Sequence, residues 1–254
     1  MNVVNDMRGK VALITGAGSG LGQGTAIAMA KAGAKTFLVD INAAGLEETS
    51  AIIDELGGDH QTHVADLSQF EHCQYSVQEA VNAFGRLDAL CNVAGLIMFN
   101  HSTDMPRTDW DKTIAVNLSA PFFLSQAAIP HLIEQNGAIV NVTSNAAYTG
   151  GAYAAAYCAS KAGLMNLTKA MAVEYINRPL RINAVAPGGM NTNIVSNFSK
   201  MPKDLDASLL ARIKPLRGLV EVEDAANLIV FLASDAARAY HGSCITIDQG
   251  ITAG

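Results

Sequence analysis

The chain has 254 residues, 50% of them hydrophobic, and its 17 basic and 23 acidic side chains give a formal charge of −6. That is enough apolar material for one large core, and no lysine- or arginine-rich block points to a nucleic-acid or membrane-surface partner. Residues 1–8 lack the charged-then-apolar pattern of a signal peptide, and apolar runs such as Ala138–Val142 are too short to span a bilayer. Cys73, Cys91, Cys158 and Cys244 are spread without a CxxC pair, so reduced thiols and a cytoplasmic location are expected.

Short apolar runs alternate with longer amphipathic stretches along the chain. Residues 10–15 (KVALIT) read as a strand and 21–32 as a helix; 35–40 (KTFLVD) as a strand and 43–56 as a helix; 62–65 as a short strand and 69–84 as a helix. A strand at 89–93 precedes helical segments at 108–115 and 121–134, and a strand at 138–143 precedes a long helix at 154–175. A strand at 181–186 is followed, after a loop region, by a helix at 222–232 and a last strand at 244–248. Strands that are nearly continuous apolar runs belong to a parallel sheet covered on both faces. The pattern predicts an α/β, doubly wound parallel sheet of about seven strands with helices on both faces. No linker, composition shift or repeat divides the chain, so residues 1–254 are expected to form one domain. Ligands of such sheets lie beyond the carboxyl ends of the strands, where the winding reverses.

The first predicted strand runs into Thr15-Gly16-Ala17-Gly18-Ser19-Gly20-Leu21-Gly22. Glycines permit positive φ and close approach of a phosphate, and the following helix start offers free N–H groups to it. The spacing is Gly-x-x-x-Gly-x-Gly and not the strict GxGxxG. Asp40 ends the second predicted strand, where a carboxylate accepts hydrogen bonds from the adenosine ribose hydroxyls and repels a 2′-phosphate. Neither Ser19 nor Ile41 brings a positive charge, so NAD is favoured over NADP.

Tyr157 and Lys161 stand at i and i+4 of the long helix and share a face. A free tyrosine titrates near about 10, and lowering that by about 3 units takes about 4 kcal/mol, which nearby cations in a dry cleft can supply. Ser144 follows the strand at 138–143, in position to hold a substrate oxygen. Asn92, Ala94 and Gly95 follow the preceding strand and are candidates for the cofactor wall. The six histidines show no HExxH or other ligand spacing, so no catalytic metal is expected, and His60, His63 and His72 are read as solvated.

Together these residues resemble the short-chain dehydrogenase/reductase family in its compact single-domain branch, over nearly the whole chain from Lys10 to Gly250. The resemblance implies a Rossmann-type fold with its TGxxxGxG turn at Thr15 to Gly22, including cofactor contacts from Gly16, Ser19, Gly20, Leu21 and Gly22. The NAD-selecting acid falls on Asp40, followed by Ile41, and the pair beside the adenine is Asp66-Leu67. The NNAG motif appears as Asn92-Val93-Ala94-Gly95 with Val93 in place of the second asparagine. The helix asparagine is Asn117, the catalytic serine Ser144 and the YxxxK motif Tyr157 to Lys161. Pro187-Gly188 and Thr192 are implied beside the nicotinamide.

In the implied mechanism Tyr157 exchanges the proton, Lys161 lowers its pKa and holds the nicotinamide ribose, Ser144 orients the substrate oxygen, and Asn117 holds a water linking Lys161 to solvent. Cys158 is expected to pack in the core, one residue round the helix from Tyr157. A substrate lid is implied at about 190–215, with Met190, Ile194, Val195, Phe198, Met201 and Leu205 facing Leu96, Ile97, Met98, Ala146, Tyr148 and Tyr153 across an apolar pocket. These features favour hydride transfer between NAD and a lipophilic secondary alcohol or ketone, a small-molecule partner, in a homotetramer. Alternatives are a reductase of carrier-protein-bound 3-oxoacyl groups, for which Arg178 and Arg181 are candidate carrier contacts, and a non-catalytic NAD(H)-binding sensor or scaffold.

Overall fold

The computed structural model describes residues 5–190, 201–210 and 217–253. β1 (Val11–Thr15), β4 (Ala89–Asn92), β5 (Ala138–Val142) and β6 (Arg181–Pro187) are the apolar runs read from sequence, and nearly every residue in them is buried. With β2 (Lys35–Asp40), β3 (His60–Val64) and β7 (Cys244–Ile247) they make a seven-stranded parallel sheet in the order β3-β2-β1-β4-β5-β6-β7. The winding reverses between β1 and β4, which pair directly through Leu13↔Leu90 and Ile14↔Cys91. The carboxyl ends of these two strands therefore open a crevice between their outgoing loops.

Helices cover both faces because each buries one apolar stripe on the sheet. On one side α1 (Gly20–Lys31), α2 (Ala43–Glu55) and α8 (Val222–Ala233) enclose Met29, Leu46, Ile53 and Ile229 with Ile14 and Leu38. On the other, α3 (Phe70–Phe84), α5 (Ala120–Glu134) and α6 (Ala155–Glu174) enclose Val77, Leu124, Leu132 and Met171 with Leu13 and Leu90. α4 (Arg107–Ile114) leads toward α5, and the short α7 (Ala207–Leu210) lies between β6 and α8. No helix among the described residues is long and apolar enough to cross a membrane.

Three readings of the sequence depart from the structure. β3 begins at His60, before the expected start at residue 62, and is mostly exposed. It is an edge strand paired only with β2, so it needs no continuous apolar run, and its polar side chains discourage further strand pairing. His60 and His63 are half-buried where fully solvated positions were expected: His63 packs between Phe37 and Tyr75, and burial pushes its pKa down. His72 is exposed, as expected.

The third departure lies between the helical segments expected at 108–115 and 121–134. A π-helical turn, Ala115–Ser119, joins α4 to α5, with the N–H of Ala120 bonding the carbonyl of Ala115 five residues back. Pro121 has no N–H to offer Asn117 four residues earlier, so an ordinary α-helical ladder is already interrupted there.

Candidate active site

The carboxyl ends of β1, β2, β4, β5 and β6 surround one cleft of about 760 Å³. At the β1 end, Gly16 and Gly20 have φ of +69° and +54°, a region open to glycine. A Cβ on Gly22 would lie 1.9 Å from the carbonyl oxygen of Gly16, so the start of α1 presses directly on the turn. Ser19 sits at the N-cap of α1, yet its side chain makes no capping bond, and the first turn holds no acid. The helix thus presents unclaimed N–H groups and its positive end to the cleft, which suits the pyrophosphate of a dinucleotide. Gly16, Ser19, Gly20, Leu21 and Gly22 all line it.

Asp40 lies at the neighbouring strand end. Its carboxylate accepts the N–H of Gly18 at 2.9 Å and of Asn42 at 2.8 Å, which fixes it beside the glycine turn. The helix-capping role falls to Asn42, whose side chain accepts from Gly45. Ile41 is 63% exposed and also borders the cleft. Asp66 and Leu67 wall the same end. Burial pushes the Asp66 carboxyl up, but bonds from Ser68 and the nearby Lys112 and His72 charges bring it below the usual range.

The other end gathers the groups suited to proton transfer. Ser144, Tyr157 and Lys161 line the cleft together. Ser144 Oγ accepts the N–H of Ala146 at 3.1 Å and donates to Asn145 Oδ1 at 3.1 Å. Burial raises the Tyr157 pKa, and its hydrogen bond with Ser144 works in the opposite direction. Lys161 is 3% exposed, and burial pushes its pKa down to about 8. Its Nζ donates to the Val142 carbonyl at 2.8 Å and lies 5.8 Å from the centre of the Tyr157 ring. Gly95 leaves room for it, since a Cβ there would come within 3.2 Å of Lys161 Nζ and 3.4 Å of Asn117 Oδ1. Ala94, Pro187 and Gly188 complete the wall, whereas Thr192 lies outside the described residues, as do Ile194, Val195 and Phe198 of the expected lid.

Asn92 and Asn117 stand behind this wall. Asn92 is buried, and its Nδ2 donates to Asn141 Oδ1 at 2.8 Å; Asn141 in turn donates to Thr168, which ties β4 to β5 and α6. Asn117 is fully buried in the π-helical turn. Its Oδ1 accepts the N–H of Leu96 at 2.9 Å, and its Nδ2 donates to the Leu96 carbonyl at 2.9 Å and to Ser160 Oγ at 3.1 Å. It clamps the loop after β4 to α6.

Two residues carry roles that the motifs did not assign. Thr15 Oγ1 accepts the N–H groups of Val93 and Ala94, both at 3.0 Å, so β1 holds the β4 turn from below. Its burial among apolar strand residues was the signal. Cys158 borders the cleft instead of packing in the core, and its Sγ accepts the N–H of Gly151 at 3.3 Å. The 150–154 segment folds over the first turn of α6, so adjacent positions there both meet the cleft.

Of the residues expected across the substrate pocket, Leu96, Ile97, Ala146 and Met190 line the cleft, joined by Phe99, Leu210 and Leu219. Met98, Met201 and Leu205 do not line it, and neither do Tyr148 and Tyr153. Tyr148 donates to the carbonyl of Cys244 at 3.2 Å, and Tyr153 Oη accepts the N–H of Asp206 at 2.7 Å. Arg178 and Arg181 are far from the cleft, before the amino end of β6, where Arg181 donates to carbonyls of Leu232, Ala233, Ser234 and Ala237. They offer no contact for a carrier at the cleft mouth.

Comparison with known proteins agrees with this geometry. A family model described as enoyl-(acyl carrier protein) reductase matches residues 16–252. The chain is 37% identical to a 3-oxoacyl-(acyl-carrier-protein) reductase of Thermotoga maritima, over 96% of this chain and 98% of that one. It is 38% identical to a 2,5-dichloro-2,5-cyclohexadiene-1,4-diol dehydrogenase of Sphingobium indicum, over 99% and 100%. The crystal structure of a short chain dehydrogenase from Mycobacterium paratuberculosis bound to NAD superposes with a TM-score of 0.91 at 28% identity, covering 98% of this chain and 100% of that one. The chain belongs to the short-chain dehydrogenase/reductase family, nicotinamide-dependent oxidoreductases that act on alcohol and ketone groups.

Proposed function

We propose that this protein is an NAD-dependent dehydrogenase of a secondary alcohol, or the reductase of the matching ketone, on a largely apolar carbon frame. The observation that carries the reading is the convergence of Ser144, Tyr157 and Lys161 at one end of the cleft whose other end holds Asp40. When bound, NAD supplies the hydride acceptor, NADH the hydride donor, and the oxidised ring a positive charge.

The chain's own residues do the remaining work. Gly16, Ser19, Gly20, Leu21 and Gly22 hold the pyrophosphate, Asp40 and Ile41 the adenosine ribose, and Asp66 and Leu67 the adenine. Ala94, Gly95, Pro187 and Gly188 border the nicotinamide half, with Asn92 fixing the turn beneath. With its pKa raised by burial, Tyr157 holds its proton at neutral pH and is poised to give it to a carbonyl oxygen. In the oxidative direction Tyr157 first releases its own proton, which positive charge close by favours, and the phenolate then takes the proton of the alcohol. Ser144 Oγ orients the substrate oxygen, Lys161 holds the nicotinamide ribose, and Asn117 keeps the proton route from Lys161 to solvent.

Asp40 supports NAD because its carboxylate would face a 2′-phosphate with like charge. A single dinucleotide-binding domain fits a small-molecule substrate. The exposed Phe122, Val173 and Ile176 support association through α5 and α6 into a homotetramer. A cytoplasmic location completes the reading.

The test is a panel of secondary alcohols and ketones with NAD(H) and NADP(H), run beside Tyr157→Phe and with light scattering for the assembly. Turnover with NAD(H) that the variant loses supports the reading. Turnover with NADPH alone, or of carrier-bound 3-oxoacyl groups alone, favours the carrier-protein reductase. NADH binding without turnover across the panel favours a sensor.

A further inference from the structure

Asn145 borders the cleft immediately after Ser144, is half-buried, and has one half of its amide already committed. Ser144 Oγ accepts the Ala146 N–H and lies 3.1 Å from Asn145 Oδ1. The amide oxygen faces Ser144, and the amide nitrogen lies on the other arm of the carboxamide. Among the described residues nothing accepts from Asn145 Nδ2. Two amide protons therefore stand beside the oxygen that holds the substrate's reacting group. The surrounding wall is small and apolar: Ala146, Gly151, Ala152 and the Cys158 thiol. Such a wall leaves space for a carbon bearing a substituent and offers it few polar partners of its own.

We infer that Asn145 reads a second oxygen on the substrate, adjacent to the one that reacts, so that the preferred substrate is a vicinal diol or the corresponding hydroxyketone. The inference rests on the proposed dehydrogenase reading and adds the position of a neighbouring hydroxyl to it. A mono-alcohol of the same skeleton would leave the amide protons dry and unpaired when the cleft fills. A site built to bond a hydroxyl discriminates against an analogue lacking it for that reason.

The experiment compares matched pairs, each a secondary alcohol and its vicinal diol on the same four- to seven-carbon linear or cyclic skeleton, with NAD. Wild type is expected to favour the diol by about tenfold in kcat/KM, chiefly through KM. Asn145→Asp keeps an acceptor for Ser144 and loses both amide protons; Asn145→Ala loses both functions. Asn145→Ala should bring the diol-to-alcohol ratio close to unity, whereas Asn145→Asp, whose carboxylate can accept from the second hydroxyl, should keep part of the preference and more activity on the mono-alcohol than Asn145→Ala. Turnover of mono-alcohols with no diol preference, or a preference that survives in Asn145→Ala, overturns the inference while leaving the dehydrogenase reading intact. No turnover of any pair overturns both.

Discussion

Lys161 donates to the carbonyl of Val142 at 2.8 Å while 3% exposed, so a charged group in the cleft floor is held by the end of β5 with no carboxylate partner among the described residues. Burial pushes its pKa from the ordinary 10.5 down to about 8, because an ammonium there gives up its hydration. A shift of that size corresponds to at most about 3 kcal/mol.

Lys161→Met should therefore abolish turnover and raise stability by about 1–2 kcal/mol, since the apolar side chain avoids the burial penalty but leaves the Val142 carbonyl short of a donor. The sign of the pH dependence follows from linkage. The unfolded chain holds this proton more tightly than the folded one, so the penalty is fully present below pH 8 and is relieved as pH rises from about 8 to 10.5. The stability gap between variant and wild type should narrow over that window in urea titrations; a gap that widens refutes the argument.

Thr15→Val keeps the shape of a buried side chain and removes the acceptor of two N–H groups. It should cost about 1–3 kcal/mol in chemical denaturation and weaken NADH binding, because the Val93-Ala94 turn borders the cofactor site. Thr15→Ser retains the hydroxyl and should recover most of the binding. A larger loss in Thr15→Ser than in Thr15→Val would mean that the methyl packing, and not the hydrogen bonds, holds the turn.

Gly22→Ala tests the glycine turn at its tightest point. The added methyl would sit 1.9 Å from the Gly16 carbonyl oxygen, a distance only a displaced helix can relieve. NADH affinity should fall by at least about tenfold, read by fluorescence titration, with a destabilisation of about 1–3 kcal/mol from overpacking. Gly57→Ala is the matched control: a Cβ there meets nothing within 4 Å, so only its φ of +69° is strained and cofactor affinity should stay as in wild type.

The sheet, the glycine turn and the Ser144–Tyr157–Lys161 group were legible because each leaves a local signature: apolar runs, glycine spacing and a helical i, i+4 pair. What escaped depends on neighbours distant in sequence. β3 is polar because it lies at an edge, which only the strand order reveals. Asn92 looked like a wall residue and proves to be a strut, since a side chain at a strand end points to either face and the partners Asn141 and Thr168 come from other elements. The π-helical turn that carries Asn117 has no periodicity of its own, although Pro121 marks where a regular helix must fail. Cys158 was misplaced because helical geometry alone ignores the 150–154 loop that brings the cleft round to it.

That loop also anchors the segment after residue 200. Tyr153 has a φ of 65°, uncommon for a residue with a side chain, and its Oη accepts the N–H of Asp206 at 2.7 Å. Its ring meets His101 edge-on at 5.0 Å, and His101 bonds Asp204 at 3.1 Å, so two links from the cleft rim hold residues 204–206. The ion pair is exposed at Asp204 and contributes little by itself, whereas the tyrosine bond fixes a backbone group. Tyr153→Phe keeps the ring contact and removes only that acceptor. A hydrogen bond worth about 1 kcal/mol makes local opening about fivefold more frequent. Trypsin cleavage after the exposed Lys203 should accelerate by that factor, with global stability in urea unchanged within about 0.5 kcal/mol. His101→Leu should give a smaller acceleration, because the Tyr153 bond remains. Unchanged cleavage in Tyr153→Phe would show that other contacts hold this segment and that the tyrosine does not clasp it.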